Sequence, residues 1–405
     1  MQKTTSGHTG LILLLGLLTA FGPMSIDMYL PAFPAIAREF GVSIAAVQYT
    51  LAAYNVGLAL GQLLYGPFAD QWGRKPNLMA GMVLYAVAAI GCAWATSLNS
   101  LVALRLLQAV GGCSGMVLAR AIVRDKFEGN EAARVFSTMM LVMGVAPILA
   151  PTVGSFFVAH ADWRLIFYVL AGLAALALIG IVFVLPETLP PARRNSEAAR
   201  RAFSTYAHLL QDRAFVGYSL TAGMVQAAMF AYITGSSFVF TQLFGLSTQQ
   251  YGLLFGLNAS GLIAASQLNN RLLRRFTFQQ ILQGVTLVNM LAGVVLLVFA
   301  STGWLGIVGI TLPLFVVVSS VGFASPNATA GALQRHAQQA GSASALLGTL
   351  MYSCGAVAAL AVSFFADGTV VPMAAVIAVC GVAAFLLYRW LVVRQPHPMP
   401  AESST

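Results

Sequence analysis

Apolar residues run through this chain in long blocks broken by short polar connections. Twelve blocks approach or exceed the ~20 residues needed to cross a bilayer core. They cover 10–32, 46–66, 78–97, 100–121, 135–159, 164–186, 214–240, 249–268, 279–300, 303–325, 342–365 and 370–392. Strands of a membrane barrel would alternate apolar and polar residues in pieces of roughly ten. These runs do not alternate, so the pattern predicts helices. The longest polar interruption, "ETLPPARRNSEAARRAFSTYAHLLQDR" at 187–213, divides the spans six and six. An N-terminal six-helix bundle over 1–186, a cytoplasmic linker over 187–213 and a C-terminal six-helix bundle over 214–405 follow. The linker reads equally as a short surface helix over anionic lipid or as a solvated tether.

Weak internal symmetry supports the division. "SFF" ends the fifth span at 155–157 and the eleventh at 363–365, and an "LLRRF" loop at 272–276 follows the eighth span as "GPFADQWGRKP" at 66–76 follows the second. Two six-helix units around a central site is the arrangement of a secondary transporter.

Composition removes the soluble alternative. Hydrophobic residues make up 59% and charged residues 8%, against about 25% charged in a soluble domain. The net charge of +9 would permit a nucleic-acid partner, but its distribution argues otherwise. With the N-terminus inside, the cytoplasmic face collects Lys3, Arg74, Lys75, Arg124, Lys126, Arg134, Arg193, Arg194, Arg200, Arg201, Arg213, Arg271, Arg274, Arg275, Arg335 and Arg394. The opposite face receives Arg38 and Arg164. Positive charge concentrates on the cytoplasmic side of membrane proteins, so the basicity is a topology signal that places both termini inside. No small-residue cleavage site follows "LILLLGLLTAF", which therefore reads as an uncleaved first span. Cys92, Cys113, Cys354 and Cys380 fall inside spans without the paired spacing of a disulfide or metal site. Neither a metal nor an organic cofactor is expected.

Ionisable residues deep in a membrane are expensive and point to mechanism. Among the acidic residues Asp27 alone lies well inside a span, and Arg105 is its basic counterpart. Asp27 precedes Pro31 by four residues and Arg105 follows Ser100 by five. At 1.5 Å per residue both lie about 6–8 Å below the outer surface. Two readings stand: an ion pair that fixes the first span to the fourth, or proton coupling. Burial favours the uncharged form of a carboxyl group and a nearby guanidinium the charged form. A movement that alters either becomes a protonation switch. One proton crossing about 100–150 mV supplies roughly 2.3–3.5 kcal/mol, enough to concentrate a neutral solute about 100-fold, which costs about 2.7 kcal/mol.

Polar residues also recur on single helical faces. Gln48, Asn55 and Gln62 follow a seven-residue spacing, as do Tyr251 and Asn258, while Gln108 lies one turn from Arg105. Such faces can be interhelical hydrogen bonds. Where they converge, Tyr29, Tyr54, Asn55, Gln108, Met140, Gln226, Phe230 and Asn258 are candidates for an apolar cavity with few polar anchors, a composition suited to amphiphilic ligands.

The loop "GPFADQWGRKP" places Asp70 within reach of Arg74. Pro67 is expected to end or bend the second span, Gly66 to allow a close backbone approach and Gly73 a tight turn. Its Gly66, Asp70, Gly73, Arg74 and Lys75 resemble the cytoplasmic signature of the major facilitator superfamily. Helix 4, "LVALRLLQAVGG", resembles that superfamily's second motif through Arg105, Gln108 and Gly111. "GVAPILAPTVG" resembles its antiporter motif through Gly144, Pro147, Pro151 and Gly154. "SIDMYLPAFP" and "PETLPPARR" resemble the Bcr/CflA drug-resistance subfamily. The resemblance implies an all-α fold of twelve transmembrane helices in two bundles. It also implies a latch in which Asp70 pairs with Arg74 and faces the N-terminus of the eleventh helix, and a helix 5 that seals against the other half. The second-half loop "LNNRLLRRF" lacks the aspartate and the Gly-Pro, so a symmetric latch is not expected.

The expectation is thus a proton-coupled multidrug exporter of the bacterial inner membrane, monomeric. Its substrates would be amphiphilic antibiotics such as bicyclomycin, phenicols or sulfonamides, and protons its coupling ion. The alternative is a carrier for an endogenous metabolite, with Asp27 and Arg105 as structure or substrate anchor. A membrane-embedded enzyme lacks any His/Asp/Glu cluster or nucleophile–base pair.

Overall fold

The computed structural model describes residues 5–127, 129–194, 197–334, 336 and 339–393. Helices account for every regular element among them. The first half contains α1 (Thr5–Asp27), a one-turn 3₁₀ helix (Leu30–Ala32), α2 (Phe33–Phe40), α3 (Ile44–Trp72), α4 (Arg74–Ala93), α5 (Leu98–Lys126), α6 (Gly129–His160) and α7 (Arg164–Phe183). The linker carries α8 (Ala198–Leu209). Then come α9 (Arg213–Ser237), which continues as a π-helical turn (Phe238–Leu243), α10 (Thr248–Leu272), α11 (Phe278–Thr302), α12 (Gly306–Gln334), α13 (Ala340–Phe364) and α14 (Val371–Leu387).

Local chemistry explains where these helices begin. Ser43 caps α3, and Ser97 with Ser100, Ser247 with Gln250 and Thr277 with Gln280 form reciprocal capping boxes at α5, α10 and α11. Each satisfies amide donors that a helix start leaves open. Ten helical stretches among the described residues are long and apolar enough to cross a bilayer; α6 and α10 are further long helices. Their outward faces expose Leu13, Val87, Leu176, Phe183, Leu253, Leu312 and Val379, the surface that lipid covers. Inward faces pack tightly: Gly57 and Gly61 bring α3 against the backbone and small side chains of α5, the close approach that small residues give membrane helices.

Among the boundaries that differ from expectation, two bear on the site. The first span does not run unbroken to residue 32. It ends at Asp27, and Pro31 and Pro34 start the short turn and α2, where their missing amide hydrogens are harmless. α3 does not end at Pro67 but continues to Trp72, as membrane helices tolerate proline.

The halves meet along α3 and α13. Ser363 Oγ donates to Gln48 Oε1 (3.2 Å) and Thr349 Oγ1 to Ala59 O (3.1 Å), while Gly348 lies against Gln62. α8 lies across α3 and α13, burying Ala202, Tyr206 and Leu209. The Tyr206 hydroxyl donates to Leu63 O (3.2 Å). At the other end, Glu39 at the close of α2 accepts from Arg164 (2.6 and 2.8 Å) and from Trp163 Nε1 (2.6 Å) at the start of α7.

Candidate functional site

Arg105 is fully buried on α5, and its partners do not include the Asp27 carboxyl that shared depth permits. Nη2 donates to Ser25 O (2.8 Å) and Nη1 to Gln108 Oε1 (2.6 Å). The guanidinium carbon lies 4.2 Å from the centre of the Tyr54 ring, 4.6 Å from that of Tyr29 and 5.7 Å from that of Phe167. The break after Asp27 explains the carbonyl: Tyr29 N–H turns to Ile26 O, so Ser25 O needs another donor. Helix C-termini carry partial negative charge, and Arg105 caps that of α1. The charge is held by a carbonyl, an amide and aromatic faces, and among the described residues no carboxylate pairs with it.

Asp27 faces elsewhere. It is 4% exposed and has neither a hydrogen bond nor an ion pair among the described residues. The tyrosines close enough to feel its charge are Tyr232 on α9 and Tyr251 on α10, both in the other half. The Leu30–Ala32 turn just beyond it packs on α9. Of the two readings, the Asp27–Arg105 ion pair is therefore not formed among the described residues: equal depth permits a contact, but it fixes the level of a side chain and not the direction in which it leaves the helix.

α6 carries the remaining motif residues. Pro151 and Gly154 are buried; the surroundings of Gly144, Pro147 and Met140 lie outside the described residues. A side chain at Gly154 would fall on the carbonyl of Met28, next to Asp27, while Thr152 lies 3.6 Å from where Gly252 of α10 would carry one. α6 thus touches the Asp27 turn on one side and the opposite half on the other. Gly154→Ala is expected to push α6 off backbone that cannot yield, costing about 1–3 kcal/mol as overpacking does. Thermal unfolding in detergent measures this, and an unchanged midpoint would refute the tight contact.

The residues expected to line a cavity separate into packed groups. Tyr29, Tyr54 and Gln108 gather on Arg105, and Tyr29 shares a hydrogen bond with Thr50 (3.0 Å). Asn55 is buried with Oδ1 unpartnered. Asn258 donates to Tyr232 Oη (2.9 Å). Phe230 packs against Gly355 and, 6.0 Å between ring centres, Tyr352; Gln226 is half-buried on the same helix. A crevice of about 270 Å³ instead opens near the α3–α13 contact, lined by Gln48, Phe238, Val239, Gln242 and Met373 among others. None of the expected cavity residues with described side chains borders it.

At the end of the bundle that carries the 66–76 loop, Arg74 binds Asp70 (2.6 Å) and Asp125 (3.1 Å). The backbone N–H groups of Arg74 and Lys75 donate to the two oxygens of Glu187 (3.0 and 3.2 Å), so an anion covers the start of α4. Gly73, at φ 101°, makes the turn, and Asn77 Nδ2 donates to its carbonyl (2.8 Å). Gly66 does not serve a close approach; a side chain there would meet open space. Gln62 lies beside Gly348, and eight residues further toward this end along each antiparallel helix come Asp70 and Ala340. Asp70 is therefore level with the first turn of α13. Burial pushes the Tyr206 hydroxyl on α8 up to about 12, and the Asp70 carboxylate adds to the effect.

Sequence reasoning missed Asp125 and Glu187. Their signals were an acid directly after Arg124 at a helix end and the acid of "PET" after the sixth span, but nothing local joins Glu187 to residues more than a hundred positions earlier. It also missed the Tyr232–Asn258 pair.

The model of the Major Facilitator Superfamily matches residues 15–360. An uncharacterized MFS-type transporter of Bacillus subtilis, YdgK, is 36% identical over 96% of each chain. A bicyclomycin resistance protein homolog of Haemophilus influenzae is 32% identical over 95% of this chain and 96% of its own. Among solved structures, the xylose transporter XylE of Escherichia coli superposes with a TM-score of 0.76 at 15% identity, over 96% of this chain and 98% of its own. At that identity the likeness concerns the fold.

Proposed function

The chain belongs to the major facilitator superfamily, and on that premise we propose that it is a proton-coupled exporter of amphiphilic drugs, with Asp27 as the residue whose ionisation accompanies the rocking of the two halves. It is a multi-pass membrane transporter and not an enzyme. The observation that carries the reading is the unpartnered Asp27 carboxyl at the turn between α1 and α2, facing the opposite half. A carboxyl kept only for structure would have a partner, since an unpaired buried charge is costly.

The drug class rests on relatives such as the bicyclomycin resistance protein homolog and on the Bcr/CflA resemblance. Bicyclomycin, phenicols and sulfonamides are the substrates to try. Residues 1–186 and 214–405 are the rocking bodies and 187–213 their cytoplasmic tether. Arg-rich connections support an inner-membrane topology with both termini inside. The 66–75 loop is the cytoplasmic latch, Arg74 bridging Asp70 and Asp125, and the proton is the coupling ion. The carrier acts as a monomer.

In inverted vesicles holding a respiration-driven pH gradient, adding any substrate drug should discharge part of the gradient. Cells overproducing the protein should tolerate the same drug. A gradient indifferent to the whole panel, together with unaltered susceptibility, would count against drug export and favour a metabolite carrier.

A further inference from the structure

Hydrogen-bond counting at the interface between the halves leaves two complementary vacancies. Among the described residues Asp27 is an acceptor with no donor. Across from it, Asn258 Nδ2 donates to Tyr232 Oη (2.9 Å), Asn258 Oδ1 has no partner, and the Tyr232 O–H has no acceptor among the described residues. Turning the amide over, an assignment that hydrogen-bond networks decide, would let Tyr232 donate to Oδ1 but leave the amide N–H groups without an acceptor. In either orientation the pair keeps a spare donor in a buried place, where an unmade hydrogen bond is expensive.

The neighbouring tyrosine is different. Ser236 Oγ donates to Ile233 O (3.0 Å), so the Tyr251 hydroxyl, 2.9 Å from Ser236 Oγ, donates to it. Tyr251 is satisfied and Tyr232 is not. Tyr232 is also held rigidly, 1% exposed and stacked on Phe255 at 5.6 Å between ring centres.

We propose that the Tyr232–Asn258 pair is the positioning group for proton coupling: when Asp27 gives up its proton to water, its carboxylate takes the spare hydrogen bond of Tyr232–Asn258 and ties the end of α1 to α9 and α10. Reprotonation removes the tie. No proton passes to or from Tyr232; the tyrosine keeps its hydrogen and supplies direction. The ionisation of Asp27 is thereby converted into closure between the halves, which α6 already brackets through Gly154 against Met28 and Thr152 against Gly252. Other titratable groups around this end of α1 are engaged elsewhere. Arg105 on α5 binds Ser25 O and Gln108, Tyr85 on α4 shares a hydrogen bond with Ser25 (2.6 Å), and Tyr29 bonds Thr50. Tyr54 on α3 lies under the Arg105 guanidinium. On α6, His160 is exposed and bonded to Phe156 O, and Arg164 on α7 holds Glu39.

This inference rests on Asp27 being the proton carrier, and the test separates the two. Drug-evoked proton release by the purified full-length protein is recorded across pH for wild type, Tyr232→Phe, Tyr251→Phe and Asp27→Asn. A hydrogen bond to the charged form favours that form, so Tyr232→Phe should move the midpoint of the profile toward alkaline pH by about 0.5–1 unit, the worth of one hydrogen bond. Tyr251→Phe should leave the midpoint in place. Asn258→Leu, the second variant if Tyr232→Phe does not fold, should move it the same way by less. An unmoved midpoint in both Tyr232→Phe and Asn258→Leu, or an equal shift in Tyr251→Phe, overturns the inference while the carrier reading stands. Proton release that survives Asp27→Asn overturns both.

Discussion

Asp27→Asn is expected to abolish uphill drug transport in vesicles energised by a pH gradient while downhill drug exchange persists. The substitution keeps the shape of the side chain and removes its ionisation. Because Asp27 holds no partner among the described residues, no contact seen there is lost, and the melting temperature should match that of wild type. The effect on accumulation is large. One proton crossing about 100–150 mV supplies roughly 2.3–3.5 kcal/mol, a drug gradient of about 50- to 400-fold. Without the titrating group that gradient should fall to unity. Loss of exchange together with accumulation would instead place Asp27 in drug binding.

The second large effect concerns Arg105, and its additivity with Asp27→Asn separates this structure from an Asp27–Arg105 ion pair, which equal depth permits. Arg105→Met removes two charged hydrogen bonds and the stacking against Tyr29 and Tyr54. A loss of roughly 2–4 kcal/mol is expected, visible as early thermal unfolding. Arg105→Lys should recover little of it, because an ammonium neither forks between Ser25 O and Gln108 nor stacks flat on a ring. Combined with Asp27→Asn, the stability effects should add to within about 0.5 kcal/mol, as they do for sites without shared partners. A coupling well above about 1 kcal/mol would mean that the two side chains meet after all.

What the sequence disclosed follows a physical division. Spans were legible because a bilayer demands long apolar runs, and the Asp70–Arg74 contact because four residues make one helical turn. That Asp27 and Arg105 are buried charges was legible because lipid makes any charge conspicuous. Their relation was not, since it depends on the azimuth of each side chain and on the helix stopping at Asp27 so that Ser25 O needs a donor. Asn258 stood out as polar, yet its partner Tyr232 lies on another helix, and no periodicity predicts that. Gln48 and Gln62, read as one polar face, indeed touch Ser363 and Gly348 across the two halves. Pro67 and Gly66 invited local rules that membrane packing overrode: α3 carries the proline without stopping.

That one carboxyl group carries the coupling is tested by direct titration. Purified protein in weakly buffered detergent, mixed with saturating drug near neutral pH, should release close to one proton per drug bound, and Asp27→Asn should bind the drug and release none. Release of equal size from Asp27→Asn would contradict it.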